Sequence, residues 1–494
     1  MGRKLFFYDD TDIKTKHGLH HVCGPVKKNG VIDWPRPKWD LERIRVFAGT
    51  IIQIPGGGLR MYYSGFTPEA KHLSGLAVAE SADGIEWTKP LLGQVMIDGN
   101  DTNRILPEGM PGHGFLTQPQ VVVMPDGTWL MWTWWHAKDV GVVRYICAES
   151  KDGIKWRITD ADKPAILHPA DRELGQNAMV AGLTDSFEED RFADLRLMQW
   201  LEAKRLRSND ATYIYYNNKA GCLDMYSVWL LPVDESTHRM TPHDNAPRVI
   251  RTIHKRQSSD GYIWSDPEML IMPDENDPLH QQFYYLAVHR DTGSSWNIGM
   301  LGNYRCWEQS MDIELCFSRD THQWIRPLRG GWIPRGDIGD IDHMMVHAPN
   351  SLIDLGDRWR IIYSGTNIMH NKQMPEGIET ARSDTMTADI PKGRFAGLST
   401  TNRVLGTLTL KDFNLSSDII TVDADIQGRF QAELRDPYNR PLPGFELNRS
   451  IPVKGDSQCH VLRWQGEKTS DQYRYDTICM RIEMENGIIY SVSI

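Results

Sequence analysis

The sequence contains no apolar run that approaches the ~18 residues of a membrane span. Its seven cysteines show no CxxC spacing and are odd in number, which favours free thiols in a reducing compartment over a disulfide framework or a thiolate zinc site. The opening MGRKLFFYDDTD has too few apolar residues before its acids for a secretory leader. We therefore expect a cytoplasmic protein with no membrane partner, although a chain whose leader had been removed would look the same.

Clustered Lys and Arg are also missing, and the net charge is −10. Nucleic acids and acidic membranes require basic clusters, so neither is an expected partner. A neutral or weakly charged ligand fits better. The 494 residues suffice for two or three domains, or for one large β domain with an appendage, and the oligomeric state is not indicated.

One short pattern recurs along the chain. SADGIEW, SKDGIKW, SSDGYIW and SRDTHQW end at Trp87, Trp156, Trp264 and Trp324, and ARSDTM around Asp384 reads as an eroded fifth copy. Short β-rich runs joined by turns such as IPGGGL and MPDGTW precede the copies. Each repeat therefore predicts a small antiparallel sheet, and sheets stacked around an axis form a β-propeller in which the Trp packs between blades.

The long interval between Trp156 and Trp264 holds either one blade with an insertion or two blades. We favour five blades, with six as the alternative; FADLRLMQWLEAKRL is the one stretch there that a helix would also explain. From about residue 395 apolar and polar residues alternate with period two, and the signature Trp is absent. This pattern is typical of a β-sandwich. The predicted fold is all-β, with a propeller domain at 1–394 and a C-terminal sandwich domain at 395–494.

With this layout the chain resembles the five-bladed β-propeller glycoside hydrolase superfamily of family 32 fructosidases and family 43 arabinanases. It looks most like an uncharacterised family-32-like branch of polysaccharide-degrading bacteria. The matching stretches include LFFYDDTDI, PKWD, NDATYIYYNNKAG, QQFYYLAVH, DIDHMMVHAPNSLIDLGDRWRIIYSG and GDSQCHVLRWQGE. The fructosidase motifs WMNDPNG, RDP and EC are absent. The first strand of blade 1, FAGTIIQI, also lacks the Asp that an arabinanase has at this position.

Glycoside cleavage needs one carboxyl that gives a proton and one carboxylate that attacks or activates water. The resemblance implies that Asp210 and Asp342 begin the third and fifth blades in the axial funnel, with Asp40 of PKWD as a third candidate. Asp185 competes with Asp210 if the long interval holds two blades. Each of these acids has a structural alternative as a turn or strand cap.

Side chains for sugar binding are also present. Trp39 and Trp135, or Trp134 beside it, offer flat rings for stacking on a sugar. His113, His289, His343 and His347, together with His136, are candidates to face the same funnel. His343 and His347 share a face of a strand, which leaves a structural or axial metal ion open, but no cofactor is required.

The sequence therefore predicts a glycoside hydrolase that acts on an oligo- or polysaccharide. One alternative is a glycoside phosphorylase, which needs a single acid and a phosphate site for which Arg290, Arg305 or Arg335 are candidates. The other is a non-catalytic glycan-binding protein, since fold does not fix reaction.

Overall fold

The computed structural model describes residues 3–37, 43–66, 75–112, 114–137, 142–159, 165–167, 211–232, 249–291, 294–371, 373–400, 404–466 and 468–494. These residues form strands, turns and two 3-10 turns at Leu447–Arg449 and Ser470–Tyr473. No helix within these ranges has the length and apolar character needed to cross a membrane.

The first strands of the chain belong to two different sheets. The strands β1 (Lys4–Phe6), β2 (Ile13–His17) and β3 (Leu19–Cys23) pair with strands from the C-terminal end of the chain. The next strand, β4 (Lys27–Val31), is the outer strand of the last propeller blade.

Five small antiparallel blades follow, each with its first strand innermost, and one parallel pair, Met311 with Met345, joins blades 4 and 5 into a single sheet. Blade 1 consists of β5 (Arg43–Gln53), β6 (Leu59–Phe66) and β7 (Leu76–Ser81), followed by a hairpin of β8 (Met96–Ile97) and β9 (Asn100–Asp101). Blade 2 consists of β10 (Phe115–Val123), β11 (Trp129–Ala137), β12 (Val142–Ser150), β13 (Arg157–Ile158) and β14 (Ile166–Leu167). Blade 3 consists of β15 (Tyr213–Asn217), β16 (Cys222–Pro232), β17 (Val249–Ser258) and β18 (Glu268–Ile271).

Blades 4 and 5 complete the ring. Blade 4 consists of β19 (Gln281–Arg290), β20 (Asn297–Arg305) and β21 (Ser310–Ser318). Blade 5 consists of β22 (Met345–His347), β23 (Ile353–Asp354), β24 (Arg358–Thr366) and β25 (Ser383–Pro391), with β4 as its outer strand. An N-terminal strand thus closes the last blade and ties the two ends of the propeller together.

A cyclic set of hydrogen bonds shows that the ring has five blades. In every blade, one polar side chain of the inner strand accepts a hydrogen bond from a backbone N–H of the next blade. The five pairs are Thr50 with Val121, Gln120 with Ile214, Tyr215 with Val288, Tyr285 with Ala348, and Asn350 with Ile51. Since blades 2 and 3 are joined directly, no sixth blade lies between them, and the predicted five-bladed propeller is confirmed. We call these ten residues the axial girdle.

The repeated turn packs each blade on the one before it. In the first copy, Asp83 accepts hydrogen bonds from the backbone N–H groups of Ile85 (2.8 Å) and Glu86 (3.0 Å), while Ser81 accepts one from Gly84 (2.8 Å). The other three copies repeat this pattern. The residue that follows the Asp of each copy contacts the preceding blade. Gly84 lies against Ile353, and the carbonyl oxygen of Gly153 accepts a hydrogen bond from Tyr62 OH. The carbonyl oxygen of Gly261 accepts one from Trp132 Nε1, and Thr321 Oγ1 accepts one from Lys255 Nζ.

Glycine is required in two of these turns for lack of space. A Cβ on Gly153 would lie 2.6 Å from Tyr62 OH, and one on Gly261 would lie 2.5 Å from a ring atom of Trp132. Both glycines also have positive φ. The fifth copy was a wrong prediction: Asp384 lies at the beginning of β25, whereas the matching turns follow the end of the third strand in blades 1 to 4.

The C-terminal part of the chain forms one nine-stranded antiparallel sheet that curls around its own core. Its remaining strands are β26 (Ala396–Thr400), β27 (Gly406–Leu410), β28 (Phe413–Asn414), β29 (Thr421–Arg435), β30 (Val453–Val461) and β31 (Thr477–Ser493). The register between β29 and β31 shifts twice, and such bulges bend long strands so that one sheet supplies both layers of a sandwich.

The two units are not the contiguous ranges 1–394 and 395–494. Strands β1 to β3 were assigned to the propeller, but they pair with β31, β27 and β26 of the sandwich. Tyr8 then stacks on Phe317 of blade 4 with ring centroids 4.6 Å apart, and Arg394 bonds Asp423 at 2.7 Å. All seven cysteines are free thiols, as predicted.

Candidate active site

The axis of the propeller has two different ends. Tyr213 and Tyr215 of blade 3 donate hydrogen bonds to the carbonyls of Ala348 and Asn350 of blade 5, so the two inner strands run in the same direction. We call the end where the inner strands begin the entrance face, and the end where they finish the opposite face. The predicted funnel acids belong to the entrance face, because they precede inner strands.

Strained backbone marks the entrance face. Gln118, at a bulge within the inner strand of blade 2, and Ala211, two residues before the inner strand of blade 3, have φ of 54° and 59°, which non-glycine residues rarely adopt. The amide oxygen of Gln118 accepts hydrogen bonds from the backbone N–H of Ala211 (3.0 Å) and the hydroxyl of Tyr145 (3.4 Å). Its own N–H donates to Ser64 Oγ (2.7 Å). Strain held in place by such a network is typical of functional sites.

A polar and aromatic cluster lies at the same face. His370 bonds the hydroxyls of Tyr284 (2.9 Å) and Tyr304 (3.3 Å), and the guanidinium of Arg251 lies over both rings, 5.4 and 5.0 Å from their centroids. Gln282 accepts hydrogen bonds from Arg251. Blades 3, 4 and 5 thus contribute to one cluster that the sequence does not reveal, because its members are spread along the chain from Arg251 to His370.

Asp342 is buried in an ion pair. Its Oδ2 accepts from Lys28 Nζ (2.7 Å) and Tyr363 OH (3.2 Å), and its side chain is 3% exposed. The pKa of Tyr363 is raised well above its ordinary value, mainly because the ring is buried and also because the negative charge of Asp342 lies beside its hydroxyl. These contacts hold blade 5 together and are those of a structural carboxylate, so its catalytic role stays a prediction without support from its surroundings.

The predicted histidines do not share one site. His347 is buried at the end of β22, with its ring 6.4 Å from that of Tyr285, and half-buried His343 lies 3.4 Å from the carbonyl oxygen of Gly336. His289 lies at the opposite face, edge-on to Trp359. Four predicted histidines are described. His136 lies beside Phe115 at the start of β10, His343 and His347 belong to blade 5 near its start, and His289 is at the far end of blade 4.

Trp134 and Trp135, two of the predicted stacking platforms, are buried. Trp135 is 6% exposed and packs in the core between blades 1 and 2, and Trp134 packs between blades 2 and 3. A different ring is available at the entrance face. Trp307, in the turn between β20 and β21, is 59% exposed and stacks on His280 with centroids 5.4 Å apart.

Five residues named from the sequence lie outside the described residues: Trp39, Asp40, His113, Asp185 and Asp210. Gln118 and Gln120 of β10 and Gln281 and Gln282 of β19 are neutral amides, whereas the ion-paired carboxylate Asp342 precedes β22 by three residues. No cluster of three or more metal-ligating side chains occurs in the described ranges.

The three candidate phosphate-binding arginines are each paired with a carboxylate. Arg305 bonds buried Asp312 at 2.8 Å, Arg335 bonds Glu308 at 3.1 Å, and Arg290 bonds buried Asp224 at 3.0 Å. Arg290 also lies at the opposite face. They do not form one anion site.

No protein-family model and no curated protein matches this chain, but solved structures are similar to it. One is an N-acetylgalactosamine deacetylase from F. plautii bound to blood group B trisaccharide, at 11% identity and TM-score 0.46, covering 77% of this chain and 97% of the other. Another is a glycoside hydrolase at 13% identity and TM-score 0.46, covering 74% and 92%.

A third comes from family 130, described as mannoside phosphorylases that include glycoside hydrolases acting on β-1,2 mannosidic linkages in Candida mannan. It is 12% identical with a TM-score of 0.40, covering 74% of this chain and 94% of the other. Likeness at this level transfers neither a reaction nor a residue role to the chain.

Proposed function

We propose that the protein cleaves glycosidic bonds at the entrance face, with Asp210 as one of the two carboxyls. The observation that carries this proposal is the strained, hydrogen-bonded pair of Gln118 and Ala211. Asp210 directly precedes Ala211 in the sequence. Because Asp342 is held in an ion pair with Lys28, we expect the second carboxyl from Asp40.

The surrounding residues suit a sugar substrate. Amides, tyrosine hydroxyls and His370 offer donors and acceptors for hydroxyl groups, and the exposed ring of Trp307 offers a stacking face at the rim. A phosphorylase is less favoured, because the three candidate arginines do not converge on one anion site, with Arg290 at the opposite face.

A product screen tests the proposal. The protein would be incubated with plant, algal and bacterial glycans, with and without phosphate, and released sugars identified by mass. We expect release without phosphate, and loss of release in Asp210→Asn but not in Asp357→Asn, an exposed carboxyl at the opposite face. Release that requires phosphate would indicate a phosphorylase. Glycan binding without release would indicate a binding protein.

A further inference from the structure

A second cavity opens at the opposite face of the propeller. It has a volume of about 670 Å³, and every blade contributes to its wall where the inner strand ends. The contributing stretches are Thr50–Pro55, Val121–Val123, Ile214–Tyr216, Val288–Arg290 and Asn350–Leu352. A volume of this size accommodates a small ligand.

The axial girdle separates this cavity from the entrance face. Tyr213 and Tyr215 reach from blade 3 to blade 5 between the two ends. Gln118 lies three positions before Val121, where the blade 2 wall of the cavity begins, which is about 10 Å at the usual rise per residue. A molecule in the cavity therefore does not reach the proposed catalytic residues.

The walls of the cavity are polar as well as apolar. The inner strands of blades 1 to 4 are the edges of their sheets, and edge strands present backbone groups that sheet pairing leaves unused. The axial girdle already uses the N–H groups of Ile51, Val121, Ile214 and Val288. Gln53, Asn350 and Ser351 add side-chain donors and acceptors. This pattern suits a ligand that carries several hydroxyl groups.

Arg290 is the one lining residue that is charged at neutral pH. Asp224 Oδ2 (3.0 Å) and Asn217 Oδ1 (3.3 Å) accept hydrogen bonds from its guanidinium, and Asp224 is held in turn by Gln257 (2.8 Å) and Lys255 (3.5 Å). The Arg290 side chain is still 31% exposed. A guanidinium fixed in this way is pre-organised for a second carboxylate.

His289 lies beside Arg290 in the same wall. It is 7% exposed, and its Nε2 has no hydrogen-bond partner. Burial lowers the pKa of His289 to about 4, so the ring is neutral at physiological pH and offers a donor or an acceptor without adding charge.

We propose that this cavity binds a small hydroxylated carboxylate, a uronic acid monosaccharide in its simplest form, with the carboxylate on Arg290. The hydroxyl groups meet the strand edges and the polar side chains. The site is independent of the proposed reaction at the entrance face.

Isothermal titration of the full chain tests the proposal with glucuronate and galacturonate, beside glucose, galactose, acetate and phosphate. We expect binding of the uronates, at least tenfold weaker binding of the other four, and loss of tenfold or more in Arg290→Gln. Ser351→Leu, which fills the cavity and leaves Arg290 intact, should also weaken binding. Arg329→Gln, another arginine paired with a buried aspartate, is the matched control and should bind normally.

Three results would overturn the proposal: equal affinity for neutral sugars, unchanged affinity in both Arg290→Gln and Ser351→Leu, or binding of acetate and phosphate as tight as that of uronates. Asp210→Asn separates this site from the entrance face. Uronate binding retained in Asp210→Asn supports a separate site, and binding lost there contradicts it.

Discussion

The ion pair of Asp342 and Lys28 makes Asp342 a stability residue. Removing one partner of a buried pair leaves the other charge uncompensated, although Lys28 is 29% exposed and partly hydrated. We therefore expect Asp342→Asn to lower the free energy of unfolding by roughly 1–3 kcal/mol in urea denaturation. The exposed Asp357→Asn should be neutral, and unchanged stability in Asp342→Asn would argue against the structural role.

Two buried histidines make stability depend on pH. Burial lowers the pKa of His254 and of His289 to about 4 each, with Arg256 adding to the effect at His254. In the unfolded chain each titrates near 6.5, so below that pH the unfolded state binds more protons and stability is lost as pH falls toward 4. The loss should be roughly 2–3 kcal/mol per histidine.

Urea denaturation at pH 7 and pH 4.5 measures this dependence. The double variant His254→Gln, His289→Gln should show a flatter profile than the parent, while the exposed His17→Gln should leave the profile unchanged. An equally steep profile in the double variant would show that other groups cause the acid sensitivity.

Residue roles could be predicted from the sequence only where they depend on near neighbours. The Asp-Gly turn with its Trp is local, and its hydrogen bonds span three residues. Trp135 failed as a platform because both faces of a propeller blade are buried, so strand alternation leaves no solvent side. The positive φ of Gln118 and Ala211 leaves no sequence signal, since neither is glycine.

At the scale of elements, the axial girdle connects the five inner strands. Tyr215→Phe removes the hydroxyl that accepts from Val288 N–H and donates to Asn350 O, and a buried donor left unsatisfied costs about 1–3 kcal/mol. We expect a loss of that size in urea denaturation. Tyr475→Phe, at an exposed ring, should have no effect, and equal stability of both variants would contradict the role of the girdle.

The blades could be predicted because each repeat carries its own strand and turn signals. The fifth copy misled because Ser383 and Asp384 match the letters of the motif but start a strand instead of following one. A true copy follows the third strand of a blade, whereas Ser383 and Asp384 start one. A short motif carries no information about its position in the strand order.

For the whole molecule, the N-terminal strands complete the C-terminal sheet. Leu5, Phe7 and Ile13 lie in the same core as Val422 and Ile482. We expect residues 395–494 alone to lack a cooperative thermal transition, and a chain that adds residues 1–23 through a flexible linker to regain one. A cooperative transition in 395–494 alone would contradict this dependence.

This pairing was invisible in the sequence, because β1 and β31 lie at opposite ends of the chain and short alternating strands do not specify their partners. The fold class could be read from local patterns, whereas the closure of both units by N-terminal strands depends on contacts hundreds of residues apart.

One comparison tests the proposal that the entrance face is catalytic and that Asp210, not Asp342, supplies a reacting carboxyl. The most direct measurement compares turnover of a glycan found by the product screen in Asp210→Asn and Asp342→Asn, per folded molecule. We predict that Asp210→Asn loses about 10²- to 10⁴-fold in turnover with an unchanged melting temperature, while Asp342→Asn melts earlier and keeps its turnover. Full turnover in Asp210→Asn, or loss of turnover in a stably folded Asp342→Asn, would contradict the assignment of Asp210 as a reacting carboxyl.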